Sequence, residues 1–209
     1  MLVMVSNSCK GVFHHLATKY PGHVGHLYSP DGWRTPRHWL PYALDNGAWP
    51  AYTKGIEWDK EAFLKHVQTA IRAHIKPLWI AVPDVVTERQ ATLDRWLEYE
   101  GRLRMCRIPL AFVVQDGMTK EDVPESADLI FVGGSTDWKW GTLRKWCQGF
   151  DRVHVGRVNT EKQLWICHDY GAESVDGTGW FHTKQTEQLQ HYLQNKDEPR
   201  GDQLHMFET

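Results

Sequence analysis

The sequence predicts a single-domain α/β protein, a compact (β/α)8 barrel of the TIM type, and three observations indicate this fold. Eight short apolar segments recur along the 209 residues. Several of them are apolar at consecutive positions, which is typical of parallel strands that are covered on both faces. Most are separated by stretches with helical periodicity, so right-handed βαβ units are expected. Eight such units favour closure into a barrel over the alternative, a doubly wound open sheet.

The predicted elements follow from these patterns in chain order. The strands are Leu2–Val5, His23–Tyr28, Tyr42–Leu44, Leu78–Val82, Leu110–Val114, Leu129–Val132, Val153–Val155 and Ser174–Val175. The helices are Trp58–His74, Thr87–Arg104, Thr142–Gln148, Thr160–Asp169 and Thr183–Gln194. Asp59 is well placed near the start of the first helix, and Thr87 is expected to cap the second. Gly171 follows Thr160–Asp169 at the position of a C-terminal glycine cap.

The barrel is expected to take up residues 1–195, and residues 196–209 form a polar tail without a packing pattern. About 200 residues is the lower limit for this fold, so some of its helices must be vestigial. Arg34–Pro41, which contains proline and tryptophan, reads as an excursion between the second and third strands.

The composition limits the classes of function. Hydrophobic residues at 41% and charged residues at 24% indicate a globular chain, and a net charge of −2 excludes a general polycationic attraction to nucleic acid. No signal peptide and no apolar run of about 18 residues is present, so a cytoplasmic protein without a membrane partner is expected. The cysteines lack a CxxC pair, which predicts reduced thiols and no metal site; they are Cys9, Cys106, Cys147 and Cys167.

Polar residues stand at the ends of six predicted strands. They are Asp45, Asp84, Gln115 with Asp116, Gly133 with Gly134, Gly156 with Arg157, and Asp176. The carboxyl ends of barrel strands meet on one face, where the active sites of this fold are built, so these side chains are expected to share a pocket. The alternative for each aspartate is that it caps a helix or starts a turn.

This set suits chemistry at a glycosidic bond. One carboxylate can attack the anomeric carbon while a second handles protons. Asp84 and Gln115 can bond along the edge of a purine, and the Gly133–Gly134 pair lets a backbone N–H approach the ring closely.

The ordered motifs LDNGAW, VPDVV, VVQDG, FVGGS, HVGRV and YGAESVDG resemble those of the tRNA-guanine transglycosylases. The closer resemblance is to their shortened DNA-acting relatives, the DpdA-type enzymes of phages and bacterial genomic islands, which insert 7-deazaguanine derivatives into DNA. The likeness covers about residues 42 to 180. Each motif alone is weak, and their order at successive strand ends makes the match specific.

The resemblance implies base exchange in DNA without a cofactor. Asp176 resembles the aspartate that attacks the anomeric carbon and expels guanine, and Asp45 resembles the aspartate that handles protons on the two bases. The base would be held by Asp84, Gln115, Gly133, Gly134 and Gly156. The implied partners are DNA, a free 7-deazaguanine such as preQ0, and an accessory protein that opens the duplex.

A duplex base must be flipped or presented single-stranded before such an enzyme can reach it. The residues predicted to contact nucleic acid are Arg34, Arg37, Trp138, Lys139 and Arg157. Trp33, Trp49, Trp140 and Trp180 are further candidates to support a flipped base, and Arg144 and Lys145 to contact phosphates. The alternatives are a solvated surface for the basic residues and the core for the aromatic ones.

The chain lacks the closely spaced cysteines and histidine of the zinc site found in the tRNA enzymes, which favours DNA as the substrate. Four alternatives remain: a DNA glycosylase that excises a base, a tRNA-acting transglycosylase, a non-catalytic nucleic-acid-binding barrel, and a barrel hydrolase of small glycosides.

Overall fold

Eight parallel strands close into a barrel in the order of the chain, so the predicted (β/α)8 fold is confirmed and the open sheet is excluded. The structure is a computed structural model that describes residues 1–6, 11–181 and 185–198. The strands are β1 (Leu2–Ser6), β2 (Val24–Tyr28), β3 (Tyr42–Leu44), β4 (Ile80–Ala81), β5 (Leu110–Val114), β6 (Leu129–Val132), β7 (Val153–Val155) and β8 (Ser174–Gly177). Pairing of β1 with β8 closes the ring.

The helices surround the barrel unevenly. They are α1 (Gly11–Lys19), α2 (Ala48–Lys54), α3 (Lys60–Arg72), α4 (Arg89–Arg104), α5 (Thr136–Gly149), α6 (Glu161–Asp169) and α7 (Gln185–Asn195). Helices α1 and α2, of nine and seven residues, were not predicted from the sequence. The connection from β2 to β3 holds no helix, and that from β5 to β6 holds only a 3-10 turn at Lys120–Asp122. The expectation of vestigial helices is therefore confirmed.

Two of the predicted helix ends are found in the structure, and one is not. Asp59 accepts a hydrogen bond from Ala62 N at the start of α3, and Gly171 follows α6 with φ +83°, both as predicted. The prediction for Thr87 was wrong: α4 starts two residues later, after Glu88. Thr87 takes a left-handed φ of 65° and its N–H donates to Gln115 Oε1 at 2.8 Å.

Helix α5 begins six residues before the predicted Thr142, directly after the N-cap Ser135. Trp138, Lys139 and Trp140 therefore lie on a helix and not in a loop. Tertiary packing explains the difference, because Lys139 and Leu143 are buried one helical turn apart and anchor this face of α5.

Strand β8 extends to Gly177, beyond the predicted Val175, so Asp176 lies inside the strand and not after it. Asp176 is paired in register with Met4 of β1. Strand β4 is reduced to Ile80–Ala81 from the predicted Leu78–Val82.

The core has two layers. A small cluster fills the barrel interior, with Met4, Leu27, Trp79, Ala111 and Leu129 among its members. A larger cluster packs the outer faces of the strands against the helices. Because these side chains fill the interior, we expect a ligand to bind at the carboxyl ends of the strands, where this fold builds its sites.

Cys106, Cys147 and Cys167 are free thiols; Cys9 lies outside the described residues, as do residues 199–209 of the predicted polar tail. In the described part of the chain, no helix is both long and apolar enough to cross a bilayer.

Candidate active site at the carboxyl ends of the strands

A cavity of about 460 Å³ lies at the carboxyl ends of the strands. Its volume is within the usual range of about 300–1,000 Å³ for small-molecule sites. The polar side chains that line it are Asp45, Asn46, Asp84, Gln115, Lys139, Arg157, Asn159, Gln163 and Asp176, together with several hydroxyl residues. Most are contributed by segments far apart in the chain, which only barrel closure brings together.

Three carboxylates meet at this cavity. Asp84 is 5% exposed and Asp176 is 6% exposed, whereas Asp45 is half-buried. Burial raises the pKa of Asp45 to about 7, and the negative charges of Asp176 and Asp84 add to this shift. Asp45 can therefore donate and accept a proton near neutral pH, the property required of a general acid–base group.

Asp84 is the centre of a hydrogen-bonded network. Asn46 Nδ2 donates to Asp84 Oδ1 at 2.7 Å, and Gln115 Nε2 donates to Asp84 Oδ2 at 2.6 Å. Gln115 Oε1 in turn accepts from the backbone N–H groups of Gly134, at 3.1 Å, and Thr87. The network thus connects the ends of β3, β4, β5 and β6.

The charge on Asp84 is costly in spite of these donors. Burial raises the pKa of Asp84 to about 6, while the Asn46 hydrogen bond and the charges of Arg95 and Arg157 oppose the shift. Arg95 also donates to the Asp84 carbonyl oxygen at 2.8 Å. This acid is therefore fixed by side chain and backbone alike.

Gly134 is required by its surroundings. Its φ of +67° lies in the left-handed region, and a Cβ there would lie 2.6 Å from Trp138 Cε3. Gly133 is similarly close-packed, since a Cβ would lie 3.0 Å from Gln115 Nε2. Both glycines line the cavity. Asp116 has a structural role at the start of a helix, which was the alternative for each strand-end aspartate. Its carboxylate accepts a hydrogen bond from Ser135 N at 2.6 Å, just before α5.

Asp176 is held by a histidine inside the barrel. His154 Nε2 lies 3.1 Å from Asp176 Oδ1, and His154 Nδ1 lies 2.8 Å from Ser174 Oγ. His154 is fully buried, and its ring packs against Trp79 and Phe131 at centroid distances of 4.7 and 4.5 Å. Among the described residues, this is the only hydrogen bond to the Asp176 carboxylate.

Two cations lie on the same side of the cavity as Asp176. Lys139 is buried and its Nζ donates to the Gly156 carbonyl at 2.5 Å; burial and the Arg157 charge lower the pKa of Lys139 to about 8. Arg157 donates to the Gly134 carbonyl and stacks on Trp49 at 3.8 Å. These cations balance part of the negative charge of the three acids.

Several predicted nucleic-acid contacts are placed differently. Lys139 was predicted to contact nucleic acid, but its side chain is buried in the cavity wall. Arg34 and Arg37 are exposed on the β2–β3 connection and do not line the cavity. Trp138 is half-buried on α5, 6.0 Å from Trp146 between ring centroids. Trp180 is fully buried and has no access to a base.

Gly156 was predicted to hold the base, but it does not line the cavity. Its N–H donates to the Val132 carbonyl and its own carbonyl accepts from Lys139. Both backbone groups are therefore already used. A Cβ here would lie 2.6 Å from Phe131 Cε1, so close packing accounts for this glycine.

Asn46 and His154 are the important residues that the sequence patterns did not assign. The Asn46 side chain has two roles. Its Nδ2 donates to Asp84, and its Oδ1 accepts from Ala48 N at 2.8 Å at the start of α2. His154 alternates with Val153 and Val155 in β7. A polar side chain at the inward position of a short apolar strand was the available signal for His154.

No protein-family model and no curated protein matches this chain. The function therefore has to be inferred from the chemistry of the cavity.

Proposed function

We propose that this protein is a DNA-guanine transglycosylase that exchanges guanine in DNA for a 7-deazaguanine base through a covalent aspartyl–sugar intermediate. The observation that carries the proposal is the arrangement of Asp45, Asp84 and Asp176 around one cavity of about 460 Å³. Asp84 is hydrogen-bonded at both carboxylate oxygens, Asp45 has a pKa of about 7, and Asp176 is hydrogen-bonded to His154 at one oxygen. These are the three environments that base recognition, proton transfer and nucleophilic attack require.

In the first displacement, a carboxylate oxygen of Asp176 forms a bond to the anomeric carbon. The glycosidic C–N bond breaks, and its electron pair leaves on the guanine nitrogen. That nitrogen takes a proton from Asp45, whose raised pKa keeps part of the population protonated near neutral pH. The products of this step are free guanine and a sugar ester of Asp176.

In the second displacement, the incoming deazaguanine gives its N–H proton to the ionised Asp45. Its nitrogen attacks the anomeric carbon, and the ester C–O bond breaks with the electron pair returning to Asp176. Two inversions at one carbon retain its configuration, as in retaining glycosidases. Asp45 ends the cycle protonated, as it began.

The amide–acid network provides the complement of a guanine-like base. Each Asp84 oxygen can accept a second hydrogen bond, so a purine that carries N–H groups along one edge can donate to Asp84 beside Asn46 and Gln115. The Gly134 N–H, which donates to Gln115 Oε1, can be shared with the exocyclic oxygen of the base. Arg157 and Trp49 at the cavity wall suit the sugar–phosphate and the base face.

The decisive experiment incubates the purified protein with guanine-containing single-stranded and duplex DNA and a 7-deazaguanine base, and digests the DNA for nucleoside mass spectrometry. A deoxynucleoside of 7-deazaguanine in the digest is the expected result. Release of guanine with abasic sites, and no incorporation, would instead identify a DNA glycosylase. The same assay with tRNA tests the remaining transglycosylase alternative.

Asp176→Asn tests the nucleophile. Exchange should fall by at least about 10³-fold, because an amide is a poor nucleophile and cannot form the ester. Denaturing gels should show a protein–DNA adduct with the wild type and none with the variant. Exchange at the wild-type rate by a correctly folded Asp176→Asn protein would contradict the proposal. Asp151→Asn, at an exposed carboxylate outside the cavity, is the matched control.

A further inference from the structure

We propose that His154, oriented by Ser174, is a positioning residue that presents Asp176 to the sugar and speeds the release of its ester. The proposal rests on the transglycosylase function and deepens it, since it assigns a role to a residue that does not line the cavity. His154 acts only through Asp176, and its effect should differ between the two displacements.

The geometry leaves His154 little freedom. Its two ring nitrogens bridge Ser174 Oγ and Asp176 Oδ1 at 2.8 and 3.1 Å. The ring is fully buried and packs against both Trp79 and Phe131. Because Ser174 and Asp176 are two residues apart on β8, both point into the barrel and define one line of hydrogen bonds.

The line of hydrogen bonds from Ser174 through His154 to Asp176 specifies the tautomer of the His154 ring. A carboxylate oxygen can only accept, so Nε2 must carry the proton that it donates to Asp176 Oδ1. In this tautomer Nδ1 carries a lone pair, which accepts a hydrogen bond from the Ser174 hydroxyl. Without that hydroxyl, the proton is free to move to Nδ1, and the lone pair of Nε2 would face the negative carboxylate. Ser174 thus maintains the donor at Asp176 through His154.

The hydrogen bond selects which oxygen reacts. With Oδ1 held by His154, Oδ2 is the oxygen left to attack the anomeric carbon. After attack Oδ1 becomes the carbonyl oxygen of an ester. A hydrogen bond to a carboxylate is charge-assisted and about twice as strong as one to a neutral carbonyl. His154 therefore stabilises the free carboxylate of Asp176 more than its ester.

The consequence is kinetic. In the second displacement the carboxylate is the leaving group, so a donor that strengthens as negative charge returns lowers the barrier to its departure. Loss of the donor should slow resolution of the ester more than its formation. The protein–DNA adduct should then accumulate, a signature that a merely structural histidine would not give.

Two amide substitutions separate the positioning role from packing. In His154→Gln the side-chain amide reaches the position of Nε2 and keeps a donor to Asp176. In His154→Asn the amide reaches only the position of Nδ1 and loses that donor. Both variants are polar and smaller than histidine, so their thermal unfolding provides a matched measure of the structural cost.

The experiment follows adduct formation and base incorporation by rapid quench on single-stranded DNA. For His154→Asn we expect turnover to fall about 10- to 100-fold, since a hydrogen bond to a charged group is worth about 1.5–3 kcal/mol. The fraction of protein held as adduct should rise above that of the wild type. His154→Gln should restore most of the turnover, and Ser174→Ala should resemble His154→Asn with a smaller effect. His168→Asn, on the outer helix α6, is the control.

The outcomes are distinguishable. If the wild type exchanges bases and His154→Asn does so at the same rate without extra adduct, the positioning role is refuted and the function stands. If turnover falls equally in both amide variants, in step with stability and without adduct, the role is structural and the proposal is again refuted. If the wild type forms neither adduct nor exchanged base, the transglycosylase function fails and this inference fails with it.

Discussion

Asp84 and Asp176 line the same cavity and are almost equally buried, at 5% and 6% exposure, yet their surroundings differ. Asp84 is bonded at both carboxylate oxygens by Asn46 and Gln115. In the described part of the chain, Asp176 receives a single hydrogen bond, from His154 at Oδ1. Burial alone therefore does not separate the two acids; their hydrogen-bond partners do.

The comparison divides the cavity into two regions. The strand ends from β3 to β6 form a recognition region, in which side chains fix one another and present a rigid edge. The ends of β7 and β8 form a reactive region, in which one carboxylate oxygen is left unbonded. A rigid network favours selection of a planar ligand, and an unbonded oxygen favours nucleophilic attack. Substitutions in the two regions should therefore have different consequences.

Among the substitutions that test this division, the largest loss of stability is expected from Gln115→Ala, which opens the recognition region. It removes a donor to Asp84 and the acceptor of the Gly134 N–H, so stability should fall by about 1–3 kcal/mol and kcat/KM by about 100-fold. Asp176→Asn, in contrast, should leave stability almost unchanged. Chemical denaturation beside the exchange assay measures both quantities. Gln148→Ala, at an exposed position on α5, is the control, and equal behaviour of Gln115→Ala and Gln148→Ala would contradict the division.

A smaller and opposite change in stability is expected from Asp45→Asn, which removes the proton-transferring acid at the end of β3. The folded-state pKa of Asp45 is raised to about 7, so its ionisation opposes folding. The penalty is absent below the unfolded pKa near 4 and grows as the pH rises towards 7. The variant should be more stable than the wild type by on the order of 2 kcal/mol at pH 8, since each pKa unit corresponds to about 1.4 kcal/mol and the partly exposed carboxyl keeps some of its hydration.

Urea unfolding at pH 4, 6 and 8 measures this gain, which should disappear at pH 4. A gain that is constant across the three pH values would mean that the pKa of Asp45 is not raised. Exchange by the same variant should be slow at every pH, because its amide cannot transfer the proton.

The smallest effect sharpens the boundary of the reactive region. Arg157→Met removes a cation from the cavity wall and should lower kcat/KM by about 10-fold. Arg37→Met changes an exposed side chain on the β2–β3 connection, so the rate should stay within about twofold. Arg37→Met should only weaken DNA binding and reduce the steepness of its salt dependence, the slope of log K against log salt concentration, by about one. A larger loss of rate for Arg37→Met than for Arg157→Met would extend the site beyond the cavity.

The sequence was sufficient where a pattern is local. Continuous apolar runs located all eight strands within a few residues, and Asp59 and Gly171 marked real helix ends. The prediction of α5 was incomplete because Lys139 is unfavourable to bury as an isolated residue. Its burial depends on the Gly156 carbonyl and on the acids of the cavity. These partners belong to other strands and leave no mark near position 139.

The sequence by itself determined the barrel and the presence of Asp45, Asp84 and Asp176 near the ends of its strands, since apolar runs and strand boundaries depend on neighbouring residues. Only the tertiary structure decided which acid is tied at both oxygens and which is left with one unbonded. That difference depends on Asn46, Gln115 and His154, which reach the acids from other strands. A contact made across a closed barrel has no fixed spacing along the chain, and the chemistry of each carboxylate follows from such contacts.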